Sequence, residues 1–442
     1  MEPQTDDNTV ENVFMWENEY RKTYIRNILL GAILVVLILA LGVGYLLVSR
    51  RISREDALLQ EVQSNQRQEL SDARQENKER IDQIYSQHQS VLAQYLPGVV
   101  CWGDSLTAGS SGNVSYPRTL QKYLDVYVAD IYDLRYSLDT VEGLSALDWD
   151  DYQISIPVVN MGAGRENAAT ILGRSGVVPF VVTGDFVIPA DTQSVSVSIA
   201  SENGGEVMPL IAGGGGVNPV TIAGVQGTLT RAANAKQWNQ NIYQFTRLEP
   251  GMETQVAKDT QIVTAAADDY RDYIHIVWLG TYGNFTSPER LVSDTKLLLQ
   301  RQNINTDRFL VIGPCAYNGT WSGMVSYPMD SVDSAMLQAF GDRYINLRKY
   351  LMEDGMRDAG LSVTSQDKQS INNGCVPNSF RSNASGADLN GVAYDLLGKL
   401  VFERMDRLGY LDEVREQLNL EKSIQEILKE DPAYFENRLK AY

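Results

Sequence analysis

The segment Gly103-Asp104-Ser105 places a hydroxyl group and a carboxylate side by side in a short turn. It follows an apolar run from Gly98 to Trp102 and precedes a helix-like stretch from Tyr116 to Leu124, so the pattern predicts a strand, a tight loop and a helix. A loop at the carboxyl end of a parallel strand would lift Ser105 into the crevice where open α/β sheets hold their sites. The chemistry this suggests is nucleophilic attack by Ser105, which needs a base to accept the hydroxyl proton.

Candidates for that base are few, because His88 and His275 are the only histidines in the chain. His275 lies in the apolar run Ile274 to Leu279 and is expected to be a packed strand residue, whereas His88 lies in a polar segment and is expected at the surface. Any other base would have to be a carboxylate. With an ordinary pKa of ~3.9 against ~6.5 for histidine, a carboxylate is a much poorer proton acceptor near neutral pH.

The elements that would position these residues alternate between strands and helices. Strands are predicted from Ile156 to Asn160, from Ile274 to Leu279 and from Phe309 to Gly313, and helices from Pro288 to Gln302 and from about Ser385 to Leu408. This alternation is typical of a doubly wound α/β fold with a parallel sheet.

In this order the blocks resemble the SGNH (GDSL-type) hydrolase family over residues 97 to 410, with an insertion. The resemblance implies a flavodoxin-like doubly wound fold, a serine nucleophile, an oxyanion hole from a glycine and an asparagine, and a late Asp-x-x-His pair. Ser105 matches the nucleophile and Asp104 the residue before it. Asn160 and Gly162 match the start of the second block.

Four positions depart from the family pattern. Arg165 occupies the position of the donor glycine, and Tyr282 that of the donor asparagine. Ser385 and Asp388 occupy the positions of the late aspartate and histidine. Asn284 lies two residues after the position expected for the donor asparagine. If the alignment of the second block shifts by one residue, Gly164 takes the glycine position of the oxyanion hole. Loss of triad members typically costs ~10⁴ to 10⁶ in turnover, and loss of an oxyanion donor ~10² to 10³. We therefore expect a catalytically degenerate domain that acts as a binding or structural module.

The most apolar segment runs from Ile28 to Val48 without a charge, after a tail of residues 1–27. As one helix it would span the ~30 Å hydrocarbon core, and we interpret it as an uncleaved single-pass anchor. Basic residues flank it equally, so charge does not orient it: Arg21, Lys22 and Arg26 precede it, and Arg50, Arg51 and Arg54 follow it. An extracellular globular domain is expected from the family's usual substrates.

Residues 53–94 predict a polar helical stalk, since they contain no proline or glycine and few apolar residues. Some of those apolar residues fall near heptad spacing: Leu59, Val62, Ala73, Ile84 and Val91. Polar residues interrupt the seam, so a self-associating coiled coil and a solvated lone helix stay equally open.

Residues 177–250 alternate like half-buried strands, notably from Phe180 to Ile188 and from Ser194 to Ile199. They predict an inserted β-rich subdomain, a small barrel or sandwich. Its aromatic residues Trp238, Tyr243 and Phe245 are expected in its core in preference to a sugar-stacking platform.

The last residues, 411–442, carry an apolar helical stripe that would dock on this domain or on a neighbour: Leu411, Val414, Leu418, Ile424, Ile427 and Leu428. The acidic stretch from Asp125 to Asp151 is expected to be a solvated loop, because it lacks the calcium-loop pattern.

The charge of −18 makes nucleic acid an unfavourable partner. Cys101, Cys315 and Cys375 have neither zinc-site spacing nor an even number, and we expect no metal and no cofactor. Expected partners are the membrane, a surface glycan or protein, and a second copy through the stalk or C-terminal helix. Two other functions stay open: an active esterase on acylated surface glycans with Asp388 as base, and an assembly protein.

Overall fold

The structure is a computed structural model that describes residues 8–109, 114–128, 155–212, 215–231, 242–280, 285–303, 307–315, 328–382, 388–418 and 429–433. Contacts between Cα atoms divide the chain into two compact units, Met1–Ile81 and Asp82–Tyr442. Most of the predicted acidic loop lies outside the described residues, as do Trp238, Ile424, Ile427 and Leu428.

The described residues of the first unit all lie in helix α1, which begins at Asn8 and ends at Tyr95. Within the described part of the chain it is the one helix long and apolar enough to cross a membrane, and none of its most apolar window is buried. Between residues 28 and 48 the large apolar side chains stay exposed, from 53 % at Leu37 to 75 % at Tyr45. Such a surface is unfavourable in water, and the segment has the length and composition of a membrane anchor or a signal sequence.

The second unit contains the strands of a five-stranded, a seven-stranded and a two-stranded sheet. In chain order they are β1 (Val99–Gly103), β2 (Val158–Gly162), β3 (Phe180–Val182), β4 (Phe186–Ile188), β5 (Val195–Val197), β6 (Ile199–Ser201), β7 (Val220–Ile222), β8 (Val225–Arg231), β9 (Tyr243–Arg247), β10 (Thr254–Val256), β11 (Gln261–Val263), β12 (Ile274–Trp278), β13 (Phe309–Ile312) and β14 (Tyr344–Ile345).

Its helices, after the end of α1, are α2 (Ser105–Ala108), α3 (Tyr116–Tyr127), α4 (Ala168–Arg174), α5 (Pro288–Leu299), α6 (Met329–Phe340), α7 (Leu347–Tyr350), α8 (Met356–Asp358), α9 (Ser365–Asn372), α10 (Gly391–Arg407) and α11 (Asp412–Gln417). Several begin at a side-chain cap that satisfies a backbone N–H with no partner inside the helix. Asn167 caps α4, Ser287 caps α5 and Asn390 caps α10, while Thr364 and Asp367 form a reciprocal capping box on α9.

The main sheet is parallel and has the order β14-β13-β12-β1-β2. Counted along the chain this is the 2-1-3-4-5 order of flavodoxin-like folds, in which the connections reverse direction between the first and third strands. Ligands of such folds bind outside the carboxyl ends of those two strands. The expected crevice therefore lies beyond Gly103 of β1 and Trp278 of β12.

Helices cover both faces of this sheet, and alternate strand residues enter two separate cores. Val99 and Cys101 of β1 pack with α3, α10 and the last turns of α1, whereas Val100 and Trp102 pack with α4, α5 and α6. This two-sided burial explains why the strands are almost continuously apolar. The predicted parallel sheet with flanking helices is confirmed.

A second, antiparallel sheet occupies the chain between α4 and β12, with the order β5-β9-β8-β7-β11-β3-β6, and β4 pairs separately with β10. It has its own core, in which Tyr243 and Phe245 are fully buried, so these aromatic rings do not form an exposed platform. The segment extends past residue 250, where the sequence placed its end, because β11 pairs with both β3 and β7. Whether this sheet is a discrete subdomain stays a prediction.

Near the ends of the second unit, residues that the sequence assigned to the stalk and to the C-terminal tail enter the first core. Leu92 of the predicted stalk is buried there, as is Leu96 just after it, and so are Leu411, Val414 and Leu418 of the predicted tail. This part of the C-terminal stripe thus packs against its own domain.

Candidate active site

The Ser105 turn lies at the expected crevice. β1 ends at Gly103, and the side chain of Asp104 accepts a hydrogen bond from the backbone N–H of Leu106 (2.9 Å), which caps α2. Gly103 has no room for a side chain, because a Cβ there would lie 2.1 Å from Oγ1 of Thr107. Ser105 is the first residue of α2 and is partly exposed. The sequence prediction for the position of this serine therefore agrees with the geometry, while its role stays a prediction.

The loop after β2 packs directly on this turn. A Cβ on Gly162 would lie 2.1 Å from the backbone nitrogen of Ala108, and the Ala163 N–H donates to the Gly103 carbonyl (3.1 Å). Asn160 donates to the Ala108 carbonyl (3.4 Å) and accepts from the Gly162 N–H (2.9 Å). The structure thus brings the second block of the sequence pattern to Ser105.

Arg165 forms the outer corner of this loop. It is exposed and has a φ of +65°, a conformation that favours glycine. The turn closes through the Glu166 N–H, which donates to the Ala163 carbonyl (3.4 Å). At the position where the resemblance places a glycine, the backbone therefore has a glycine-like conformation although the residue is arginine.

Three carboxyl groups surround the Ser105 turn. Burial is the main reason that the pKa of Asp104 is raised to about 7; the negative charges of Glu166 and Asp388 contribute to this rise, and the hydrogen bond from Leu106 opposes it. The Asp388 carbonyl accepts from Ser382 N–H (2.9 Å), just before the Asn390 cap of α10. The charge of Asp388 thus acts on the carboxyl of Asp104, the residue before Ser105, while the role of Asp388 stays a prediction.

No local sequence pattern indicated that Glu166 would pair with Arg174. Both are fully buried and joined by an ion pair (2.8 Å), with a second bond from Nε of Arg174 (2.9 Å). Arg174 also donates to the carbonyls of Met161 (2.7 Å) and Gly215 (3.1 Å). Burial raises the pKa of Glu166, and the Arg174 charge opposes that rise. The pair fixes the second-block loop, and because it joins a loop residue to the last residue of α4, no periodicity within one element could have revealed it.

A turn of the antiparallel sheet, Met208–Ala212, forms the neighbouring wall. A Cβ on Gly164 would lie 3.0 Å from the Ala212 side chain. The segment is held to α4 by the Met208 N–H, which donates to Oγ1 of Thr170 (3.0 Å), and to β9 by the Tyr243 hydroxyl, which donates to the Pro209 carbonyl (2.9 Å). The alternation that predicted a β-rich subdomain did not indicate this contact.

Both histidines lie at the amino-terminal end of the parallel sheet, opposite Ser105. His275 pairs with Val100 and is fully buried, with Nε2 donating to the Tyr270 carbonyl (3.0 Å). Burial lowers its pKa to about 4. His88 precedes Gln89, which lines a cavity with residues that lead into β1 and β2, and burial lowers the pKa of His88. The prediction that His275 is a packed strand residue agrees with this placement.

The other predicted site residues, Tyr282, Asn284 and Ser385, lie outside the described residues. The three cysteines are buried, and burial raises the pKa of Cys101 to about 12. In the part of the chain that the structure describes, no group of three or more His, Cys, Asp or Glu residues is placed to hold a metal ion.

No protein-family model and no curated protein matches this chain. A solved structure described as "Peptidoglycan O-acetylesterase in action, 5 min" is a weak structural neighbour. It is 12% identical, the match covers 75% of this chain and 96% of that chain, and the TM-score is 0.27. A TM-score this low does not establish a common fold.

Proposed function

We propose that this chain is a membrane-tethered protein with an SGNH-type domain whose Ser105 crevice binds a ligand without hydrolysing it. The position of the histidines carries the proposal. An ester-cleaving serine needs a base within hydrogen-bond reach, and the two imidazoles of this chain lie at the other end of the sheet. His275 is about 10 Å from the carboxyl end of its strand, given ~3.3 Å per residue.

Support for the SGNH type comes from topology and from the order of the blocks. The 2-1-3-4-5 strand order places the ends of β1 and β12 at the crevice, and the first, second and last blocks converge there. Fold and block order support a common ancestry with these hydrolases, but they do not supply an activity.

The carboxyl groups near Ser105 are poor replacements for histidine. Asp104 is occupied as the α2 cap, and Glu166 is paired with Arg174. Oε1 of Glu166 has no hydrogen-bond partner among the described residues, but it is buried beside the Arg174 charge, which disfavours taking up a proton and returning it as acyl transfer requires. The geometry therefore favours binding over turnover.

An active esterase is the second candidate, and the nearness of Asp388 to the nucleophile turn is the observation that favours it. Labelling with a serine-directed fluorophosphonate separates the two. We expect the full-length protein in detergent to label no more strongly than its Ser105→Ala variant, with a conventional serine esterase as positive control. Rapid labelling that disappears in Ser105→Ala would show an activated nucleophile and would replace our proposal with the esterase.

The setting we propose is the cell surface, with a single-pass anchor over residues 28–48, an extracellular globular domain, and a surface glycan or protein as ligand. Self-association is proposed through the stalk, where Leu59 and Val62 are more than half exposed. Mass measurement of the detergent-solubilised protein tests it: a monomer would contradict a self-associating stalk.

A further inference from the structure

Two facing turns at the crevice each hold a residue in a conformation that glycine adopts more easily. Arg165 has a φ of +65° in the second-block loop, and Leu210 has a φ of +63° in the Met208–Ala212 turn. The turns touch where Gly164 meets Ala212. Non-glycine residues in such conformations persist only where the surroundings impose them, and they concentrate at active sites and ligand clamps.

The surroundings of both turns are rigid. Arg174 holds the Met161 carbonyl at the base of the second-block loop and the Gly215 carbonyl beyond the opposite turn. Thr170 and Tyr243 fix the Met208–Ala212 turn from two sides. A pair of turns that is this firmly supported can keep a strained residue in place to receive a ligand.

The side chain of Arg165 does not contribute a described contact to its own loop. Its side chain is exposed, and within the described residues it makes no hydrogen bond or ion pair. A glycine would satisfy the turn with less strain, so no contact among the described residues explains an arginine here. Its guanidinium is a fork of N–H donors that matches the oxygens of a carboxylate or phosphate.

The carboxyl groups near Arg165 leave its positive charge available to an anion. Glu166 is neutralised by Arg174, and Asp104 is buried beneath the turn. Asp388 is the carboxylate of this group that stays partly exposed. The outer corner of the second-block loop therefore presents a positive charge on a strongly acidic protein.

We infer that Arg165 recognises an oxyanion group, carboxylate or phosphate, on the glycan that the crevice binds, with the Met208–Ala212 turn as the opposite side of the clamp. The inference rests on the proposed binding function and adds the class of ligand. The recognition step is binding only, and no bond is formed or broken.

Three sugars with the same ring test it: glucose, glucuronate and glucose 6-phosphate, titrated into the full-length protein in detergent at constant ionic strength. Ligand-observed NMR gives the dissociation constants. We expect glucuronate, glucose 6-phosphate or both to bind about tenfold more tightly than glucose, because a hydrogen bond to a charged group contributes that much. The preferred anion identifies which oxyanion the site accepts.

The Arg165→Gly variant should bring the anionic and neutral sugars to equal affinity, and Arg165→Lys should restore part of the difference. Asp259→Gly is the matched control, because Asp259 also has a positive φ (+67°) but lies in the turn between β10 and β11. It should keep the preference. Equal binding of all three sugars by the wild type, no binding of any, or a preference that survives Arg165→Gly would overturn the inference. Fluorophosphonate labelling of Ser105 is independent of these results, so the proposed function can stand or fall separately.

Discussion

The Asp104 carboxyl has to satisfy two requirements that favour different protonation states. As the cap of α2 it must offer an oxygen to the Leu106 N–H, yet its position beneath the Ser105 turn removes it from water. A neutral amide or a protonated carboxyl meets both demands, whereas an ionised carboxylate meets only the first. The fold therefore favours the protonated form of Asp104.

This conflict predicts a pH dependence of stability. The pKa of Asp104 is raised from 3.8 in the unfolded chain to about 7 in the fold, so the folded state binds more protons between these values. Stability from Asp104 is fully present below pH ~4 and is lost as the pH rises through ~7, by up to about 4 kcal/mol. We expect the free energy of unfolding of the wild type to fall across this window relative to Asp104→Asn, which keeps the capping oxygen. Denaturant unfolding at a series of pH values measures it, and parallel curves would contradict the buried, protonated Asp104.

Strain at Arg165 predicts the order of stability of two variants. A left-handed conformation costs a residue with a Cβ about 1 kcal/mol more than glycine. Arg165→Gly should therefore be about 1 kcal/mol more stable to denaturant than Arg165→Ala. The matched control is Ser293, an exposed residue inside α5. There the order should reverse, with the alanine variant more stable by about 1 kcal/mol. If the alanine variant were the more stable one at Arg165 as well, Arg165 would not be strained.

At the scale of elements, the site depends on how closely the second-block loop approaches α2. Gly162 lies against the backbone of Ala108. Because Gly162 has no side chain, Asn160 can hydrogen-bond both to the Ala108 carbonyl and to the Gly162 N–H. Backbone atoms cannot rotate away as a flexible side chain can, so this contact sets the distance between β2 and the Ser105 turn.

Gly162→Ala tests this contact. The new Cβ would lie 2.1 Å from the Ala108 nitrogen, so the two segments must separate, and we expect a loss of about 2 to 3 kcal/mol in the free energy of unfolding. Gly184→Ala is the control, because no atom lies within 4 Å of its added Cβ. It should change stability by less than about 0.5 kcal/mol. Equal effects of the two substitutions would mean that the loop and α2 are not in close contact.

Sequence patterns predicted the parallel strands and the Ser105 turn, but they placed some boundaries differently. The second strand was expected from Ile156, whereas β2 begins at Val158, because Pro157 has no N–H to donate to a neighbouring strand. The run from Phe180 to Ile188 divides into β3 and β4, which pair with different strands on either side of a bend. Periodicity describes a strand's faces but does not identify its partner.

The unpredicted parts of the site arise from contacts between distant segments. Glu166 and Arg174 meet only because the loop folds back over α4, and the Met208–Ala212 turn reaches Gly164 only through the antiparallel sheet. No local pattern records such pairs. The resemblance to a family singled out Asp388, whose charge raises the pKa of Asp104, and spacing alone could not have done so.

At the scale of the whole molecule, the chain combines one apolar helix that could enter a membrane with a second unit that has three cores of its own. The antiparallel sheet is built from the chain between α4 and β12, and its Met208–Ala212 turn contacts the second-block loop. Turns at such a position can vary while the parallel sheet keeps its structure.

The proposed topology predicts which part of the chain is accessible from outside. Protease added to intact cells should remove the residues beyond 54 and leave the anchor with its N-terminal tail, because the globular domain is extracellular in this account. Permeabilised cells, in which both sides are digested, are the control. Protection of the globular domain in intact cells would show that the orientation is inverted.

The central claim is that Ser105 lies in a crevice without a working base, and turnover measures this most directly. Full-length protein and its Ser105→Ala variant should hydrolyse an activated acetyl ester at the same rate, since neither imidazole of the chain reaches the crevice. The comparison is made at several pH values, so that a carboxylate base would also be detected. Turnover by the wild type that is lost in Ser105→Ala would contradict the account and assign the crevice to catalysis.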